Sequence, residues 1–175
     1  SAIFQKRRML FAFDRAREAI RRSKTAIIVE GYMDCIACHQ AGVTNAVATL
    51  GTAMTEEHVR FLRRFAEKVV LVYDSDDAGQ QAAERSISRF LAQDLDLRIL
   101  NVPSGKDPAD YLEAHTSEEF YKLISTAAEA WEYKLQSVLR RTDSHSVAGR
   151  QQILNQMLDF LAESQGLTGT VREDM

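Results

Sequence analysis

The stretch that decides the fold is KVVLVYDSD, residues 68–76. After Lys68, residues 69–73 are apolar and rich in β-branched side chains, and the run is too short for a buried helix. They therefore predict a strand that is buried on both faces. Strands of this kind belong to parallel sheets whose two faces are covered by helices. Two acids, Asp74 and Asp76, follow the strand directly.

Further strands and helices surround this stretch. Strands are predicted at 25–30, 46–50 and 96–102. Helices are predicted at 8–22, at 33–40, from Thr55 onward and at 78–92. This alternation indicates βαβ crossovers and a mostly parallel sheet. Beyond Tyr111 only helices are predicted, at 117–126, 127–141 and 146–165. We therefore expect the α/β class, with a mostly parallel four-stranded sheet flanked by helices and followed by a C-terminal helical subdomain.

Charge and composition narrow the class of protein. Residues 1–24 carry eight basic and two acidic side chains, although the whole chain has a net charge of −3. This asymmetry suits a protein that holds a polyanion with one surface and cations with another, but a solvated basic helix face is the alternative. No apolar stretch approaches the ~20 residues of a membrane span, and the start does not resemble a signal peptide. We expect a cytoplasmic segment of a longer protein that does not contact a membrane.

The cysteines and one histidine allow several interpretations. Cys35-x-x-Cys38-His39 fits structural cysteines, a redox pair, or haem or zinc binding, and the apolar helical setting favours structural cysteines. The sequence offers no second Cys/His pair to complete a zinc site. His58 is expected on an exposed helix face.

Acidic residues recur at the predicted carboxyl ends of the strands, where parallel α/β sheets bind ligands. They are Glu30 and Asp34 after the first strand, Asp74 and Asp76 after the third, and Asp107 and Asp110 beyond the fourth. Carboxylates gathered at one edge repel each other unless cations neutralise them, and ligands that are all oxygen suit Mg²⁺ or Mn²⁺. Two such ions form the usual clamp for nucleotidyl transfer. The alternative is that the acids cap helices and form turns, which we prefer for Asp77, Asp94 and Asp96.

These acids carry a family resemblance. Residues 30–34, EGYMD, and 74–79, DSDDAG, resemble the glutamate and Asp-x-Asp motifs of the Toprim domain, which bacterial primases, type IA and II topoisomerases and some nucleases share. Residues 4–8, 50–55 and 105–112 resemble DnaG-type primases in particular. The resemblance implies a Toprim domain at 25–115. A basic helical segment from the preceding part of the polymerase core would lie at 1–24, and the helical subdomain at 116–175.

The resemblance also implies roles for residues. It implies metal ligation by Glu30, Asp74, Asp76 and Asp107, with Asp34 as a further acid in the catalytic set. Lys6, with Arg7 and Arg8, would contact nucleotide phosphates. Where the family often has Asp-Pro-Asp, this chain has Ala109 in place of the second acid. Either Asp110 substitutes from the next position, or the site has one ligand fewer.

The function implied by the resemblance is that of a DNA primase, which synthesises RNA primers by metal-assisted nucleotidyl transfer. Its cofactor would be Mg²⁺ or Mn²⁺, with zinc only in a separate domain. Its partners would be single-stranded DNA template, NTPs, the RNA primer and, through another domain, the replicative helicase at the replication fork in the nucleoid. Two alternatives stay open, a Toprim nuclease or topoisomerase subunit and a non-catalytic binding module.

Overall fold

The computed structural model describes residues 9–49, 54–73, 87, 90, 95–103 and 107–172. Its strands are β1 (Thr25–Val29), β2 (Ala46–Ala48), β3 (Lys68–Tyr73), β4 (Asp96–Asn101) and β5 (Ala128–Glu129). Its helices are α1 (Phe13–Ser23), α2 (Tyr32–Gln40), α3 (Glu56–Leu62), α4 (Pro108–Ala114), α5 (Ser117–Ser125), α6 (Ala130–Arg141) and α7 (Val147–Arg172). Ile87 and Phe90 are also helical, and the rest of the predicted 78–92 helix lies outside the described residues.

The sheet has the strand order β2-β1-β3-β4-β5. The pairs β1–β2, β1–β3 and β3–β4 are parallel, which confirms the expected mostly parallel sheet. The expected number of four strands was wrong, because β5 adds a short antiparallel strand beside β4. Its Glu129 lies opposite Arg98, and the two side chains form an ion pair at 3.2 Å. The helix predicted from 127 therefore begins only at Ala130.

Two hydrophobic clusters cover the two faces of the sheet. One joins strand residues such as Leu71 and Ile99 to α1, α3, α6 and α7. The other joins Val70 and Val72 to α2 and to Phe120 of α5. This arrangement of three layers buries β3 on both faces, as its apolar run predicts. No helix in the part of the chain that the structure describes combines the length and hydropathy needed to cross a membrane.

Helix α1 begins at Phe13, five residues later than predicted. The backbone of Phe11 pairs with Ala48 of β2 as an isolated antiparallel bridge, with hydrogen bonds of 2.8 and 3.3 Å. Ala12 then takes a left-handed conformation with φ 61°. A residue that pairs with a strand cannot also belong to a helix, so the amphipathic pattern that starts at residue 8 becomes helical only after this bridge.

His58 is fully buried, contrary to the expectation of an exposed position. It occupies the third position of α3, where its ring Nδ1 accepts a hydrogen bond from the backbone N–H of Thr55 at 3.3 Å. The Thr55 hydroxyl in turn accepts from the backbone N–H of His58 at 3.2 Å. The imidazole thus completes a reciprocal cap, a position usually taken by Glu or Gln.

The two cysteines are free thiols within the core. Both are fully buried in α2, and the Cys35 thiol lies 3.5 Å from the Ala46 carbonyl oxygen. Burial raises the pKa of each thiol to about 12, and the negative charge of Asp34 contributes to the rise. These surroundings agree with the structural interpretation, because a reactive cysteine needs an accessible thiolate.

We expect both thiols to be unreactive in the folded chain. At pH 8 a thiol with a pKa of about 12 is ionised to about one part in ten thousand, and burial excludes the reagent as well. Labelling with a chromogenic disulfide at pH 8 should therefore be slow before denaturation and complete in guanidinium. Rapid labelling of the native chain would contradict the buried position of α2.

Candidate functional site

The first feature of the site is the position of the two strand ends. Strands β1 and β3 are neighbours, with Val29 paired to Val72, so their carboxyl ends emerge together at one edge of the sheet. Glu30 directly follows β1 and is exposed at this edge. Strand β3 ends at Tyr73, and the predicted acids Asp74 and Asp76 lie outside the described residues, as do Lys6, Arg7 and Arg8.

The second feature is the turn from β1 into α2. Gly31 is the N-cap of α2, and its backbone N–H donates to Oδ2 of Asp34 at 3.2 Å. A Cβ atom at position 31 would lie 2.7 Å from the same oxygen, closer than real Cβ contacts allow. A side chain at position 31 would therefore force a shift of the Asp34 carboxylate, which lies one helical turn beyond Glu30.

The third feature is the start of α4. Asp107 is the N-cap of this helix, and its Oδ1 accepts a hydrogen bond from the backbone N–H of Asp110 at 2.7 Å. Pro108 occupies the first helical position, where a missing N–H costs nothing. Capping accounts for the place of Asp107 in the fold, but a carboxylate that accepts one hydrogen bond keeps lone pairs on both oxygens for a cation. Asp110 lies exposed in the first turn.

Packing of α2 against α4 brings two of these acids together. Partial burial raises the pKa of the Asp34 carboxyl, and the nearby negative charge of Asp107 raises it further. The backbone N–H groups of Ala109 and Gly31 act in the opposite direction, because they donate hydrogen bonds to the charged form. The carboxylates of Asp34 and Asp107 thus repel each other where α2 packs against α4.

The structure therefore brings Asp34 near Asp107, whose helix carries Asp110 in its first turn, and Glu30 lies one helical turn before Asp34. Within the described residues no group of three or more His, Cys, Asp or Glu side chains is close enough to hold a metal ion. Sequence reasoning missed the backbone N–H of Gly31 as part of the site, although glycine directly after a strand-ending Glu is a signal for it.

Comparison with known proteins agrees with this geometry. A family profile described as Toprim-like matches residues 27–112. The DNA primase of Campylobacter jejuni is 36% identical over 158 residues, which cover 90% of this chain and 26% of that protein.

Two solved structures have the same fold. The E. coli primase catalytic core is 30% identical with a TM-score of 0.85, covering 93% of this chain and 53% of the solved chain. A DnaG primase catalytic domain bound to ssDNA is 28% identical with a TM-score of 0.85, and the match covers 99% of this chain and 58% of the solved chain. The chain thus spans about a quarter of the length of the Campylobacter jejuni relative and somewhat more than half of each solved chain. With primases as its relatives and their catalytic core as its fold, the chain belongs to the bacterial DnaG-type primases, as a fragment that contains their Toprim domain.

Proposed function

We propose that this chain supplies the metal-binding part of a DNA primase, an enzyme that synthesises short RNA primers on single-stranded DNA by nucleotidyl transfer. One observation carries the proposal most directly. Strands β1 and β3 end side by side at one edge of the sheet, and the exposed Glu30 directly follows β1 there. Ligands bind at this edge in parallel α/β sheets, and it is where the family resemblance implies a metal ligand at Glu30.

The donor groups fit a hard divalent cation. Every side chain proposed as a ligand is a carboxylate, and Mg²⁺ and Mn²⁺ prefer oxygen ligands. Partial burial raises the pKa of Asp34 and the charge of Asp107 raises it further, and a bound cation would offset the second effect. We assign metal ligation to Glu30, Asp74, Asp76 and Asp107, with Asp110 as the candidate replacement for the acid missing at Ala109.

The side chains of this chain would divide the work of the reaction. When bound, the cations supply the positive charge that nucleotidyl transfer needs at the reacting oxygens. Glu30 and the three ligating aspartates would hold them at fixed positions beyond the sheet edge. Lys6, Arg7 and Arg8 would neutralise the phosphates of the incoming nucleotide. No residue is assigned as a general base, so the acids act by holding charge in place.

The partners follow from this chemistry. They are a single-stranded DNA template, NTPs and the growing RNA primer, and one of the similar solved structures is that of a catalytic domain bound to ssDNA. We place the replicative helicase and the zinc site in other domains of the longer protein, and the protein itself in the cytoplasm at the replication fork. The segment boundaries at 24 and 115 remain part of this proposal. The helical subdomain at 116–175 is also part of this proposal, although α5 packs against the sheet and β5 belongs to it.

Removal of one acid should abolish or greatly weaken metal binding. We expect Glu30→Gln, Asp74→Asn and Asp76→Asn each to lower the affinity for Mn²⁺ by more than about tenfold, since each amide keeps the shape of the side chain and removes a charged ligand. Isothermal titration calorimetry with Mn²⁺ and Mg²⁺ measures this directly. Asp159→Asn, at an exposed position on α7, is the matched control. Unchanged binding in all three folded variants would exclude the metal site.

Asp107 can be tested separately from its capping role. Asn caps helices about as well as Asp, so Asp107→Asn should leave the melting temperature nearly unchanged while the Mn²⁺ affinity falls. Asp107→Ala should in addition lower the free energy of unfolding by about 1 kcal/mol, because the Asp110 N–H loses its partner. Asp110→Asn then decides between the two possibilities for the missing acid, because a fall in affinity identifies Asp110 as the substitute. If Asp107→Asn binds metal as the wild type does, Asp107 is a cap only.

The activity itself is tested in the longer primase that contains this segment. Glu30→Gln should reduce templated incorporation of NTPs on single-stranded DNA by about a hundredfold or more, because metal ions contribute several kcal/mol to transition-state stabilisation. The same reactions should be examined for cleavage of the template. Metal-dependent cleavage that is lost in Glu30→Gln, without primer synthesis by the wild type, would favour the Toprim nuclease alternative.

A further inference from the structure

We propose that Tyr32 and the apolar side chains around it form a surface on which the bases of single-stranded nucleic acid stack, beside the proposed metal site. This apolar strip consists of the exposed side chains of Met9, Tyr32, Met33 and Ile36. The inference rests on the proposed function for its meaning, because a primase has to hold an unpaired template strand. The binding itself can be measured without any metal.

The position and exposure of Tyr32 are the first argument. Tyr32 is the first residue of α2 and follows Glu30 by two positions, so it lies at the edge of the sheet where β1 and β3 end. Its side chain is 58% exposed. The ring packs edge-on against Phe11, with a centroid distance of 6.2 Å and an interplanar angle of 60°. The backbone bridge to Ala48 in turn holds Phe11. The Tyr32 ring is thus supported by one neighbour while most of its surface stays open to a ligand.

The apolar surface extends beyond this one ring. Met33 and Ile36 lie beside Tyr32 on the outer side of α2, with 63% and 37% of their surface exposed. A groove of about 650 Å³ runs between Ile36 and residues 9–12. Exposed apolar groups that adjoin each other mark a binding site, whereas single ones need no explanation. A strand presents several bases in a row, which a single nucleotide does not, so a strand fits this surface better.

The helix beside the groove is basic, which fits a polyanion. Residues 9–24 carry five basic and two acidic side chains. Arg15 lines the groove, and Arg22 lies on the same side of α1 two turns later. Both arginines are exposed, and neither forms an ion pair within the described part of the chain. Asp14 lines the groove as well, so the positive excess comes from the rest of α1. Proteins that bind single strands combine aromatic stacking with positive charge along the backbone in this way.

Base stacking is tested with two strands of equal length, an oligothymidylate and an abasic oligonucleotide, by fluorescence anisotropy at low salt in EDTA. Tyr32→Ala should weaken binding of the oligothymidylate by about fivefold or more, as removal of a stacking side chain does, and should leave the abasic strand nearly unchanged. Tyr32→Phe should bind as the wild type does, because it keeps the aromatic face. Trp131→Ala is the matched control, since Trp131 is 41% exposed and lies on α6 near Phe160, outside the strip.

The charged part of the surface has its own variant. Arg15→Gln should weaken binding of both strands, and it should lower the slope of log Kd against log salt by about one, as the loss of a single phosphate contact does. Unchanged affinity for both strands would overturn the path of the strand along α1.

Three results would overturn the stacking proposal: wild-type affinity of Tyr32→Ala for the oligothymidylate, an equal loss for both strands, or no binding of either strand by the wild type. If Tyr32→Ala does not fold, Tyr32→Leu decides the question, because leucine keeps apolar bulk beside Phe11 but has no ring. A fivefold loss there supports stacking, and wild-type affinity contradicts it. Calorimetry with Mn²⁺ judges the metal site separately. If the wild type binds no Mn²⁺, the proposed function fails, while the strand assay in EDTA still decides the role of Tyr32.

Discussion

The parallel pairing of β1 with β3 is the constraint on which the rest of the site depends. The register runs from Thr25 opposite Lys68 to Val29 opposite Val72, and most side chains of both strands are buried. A slip by one residue would exchange the two faces of a strand, so the packing of both hydrophobic clusters fixes the register. Neighbouring strands lie about 4.8 Å apart. The carboxyl ends of β1 and β3 therefore lie side by side at one edge of the sheet.

Concentrating carboxylates at one edge has an electrostatic cost, and the fold offsets part of it with helix starts. Asp34 lies in the first turn of α2, and Asp107 caps α4, so both face the positive ends of helix dipoles. Each also receives a backbone N–H, from Gly31 and Asp110 respectively. The acids are thus partly compensated by the backbone alone. This explains how the chain can fold with both carboxylates in place although they repel each other.

The sequence was sufficient for features that depend on local pattern and failed where a distant partner decided the outcome. The apolar run of β3 and the Glu30-Gly31 turn could be predicted because periodicity and a glycine after an acid are visible in the chain. The late start of α1 could not, because it depends on the backbone pairing of Phe11 with Ala48. The two residues of β5 carry no strand pattern and pair only because β4 offers an open side.

Two site features were hidden for the same reason. His58 looked like a surface residue because its burial depends on how α3 packs, although Thr55 before it signals a cap. The effect of the Asp107 charge on Asp34 depends on the packing of α2 against α4, which no local pattern reveals. Residue types indicated which chemistry gathers at the sheet edge, whereas the order of the strands and the packing of α2 on α4 determined which acids meet.

The Phe11 bridge has a further consequence for how the sheet behaves toward other chains. An outermost strand with free backbone groups is a template for pairing with another molecule, and long flat ones promote aggregation. Here β2 is only three residues long, and the Phe11 backbone bonds to Ala48 on it. The opposite margin is formed by β5, which has two residues and continues directly into α6. Both margins are therefore short and interrupted, which disfavours fibril-like growth of the sheet from either side.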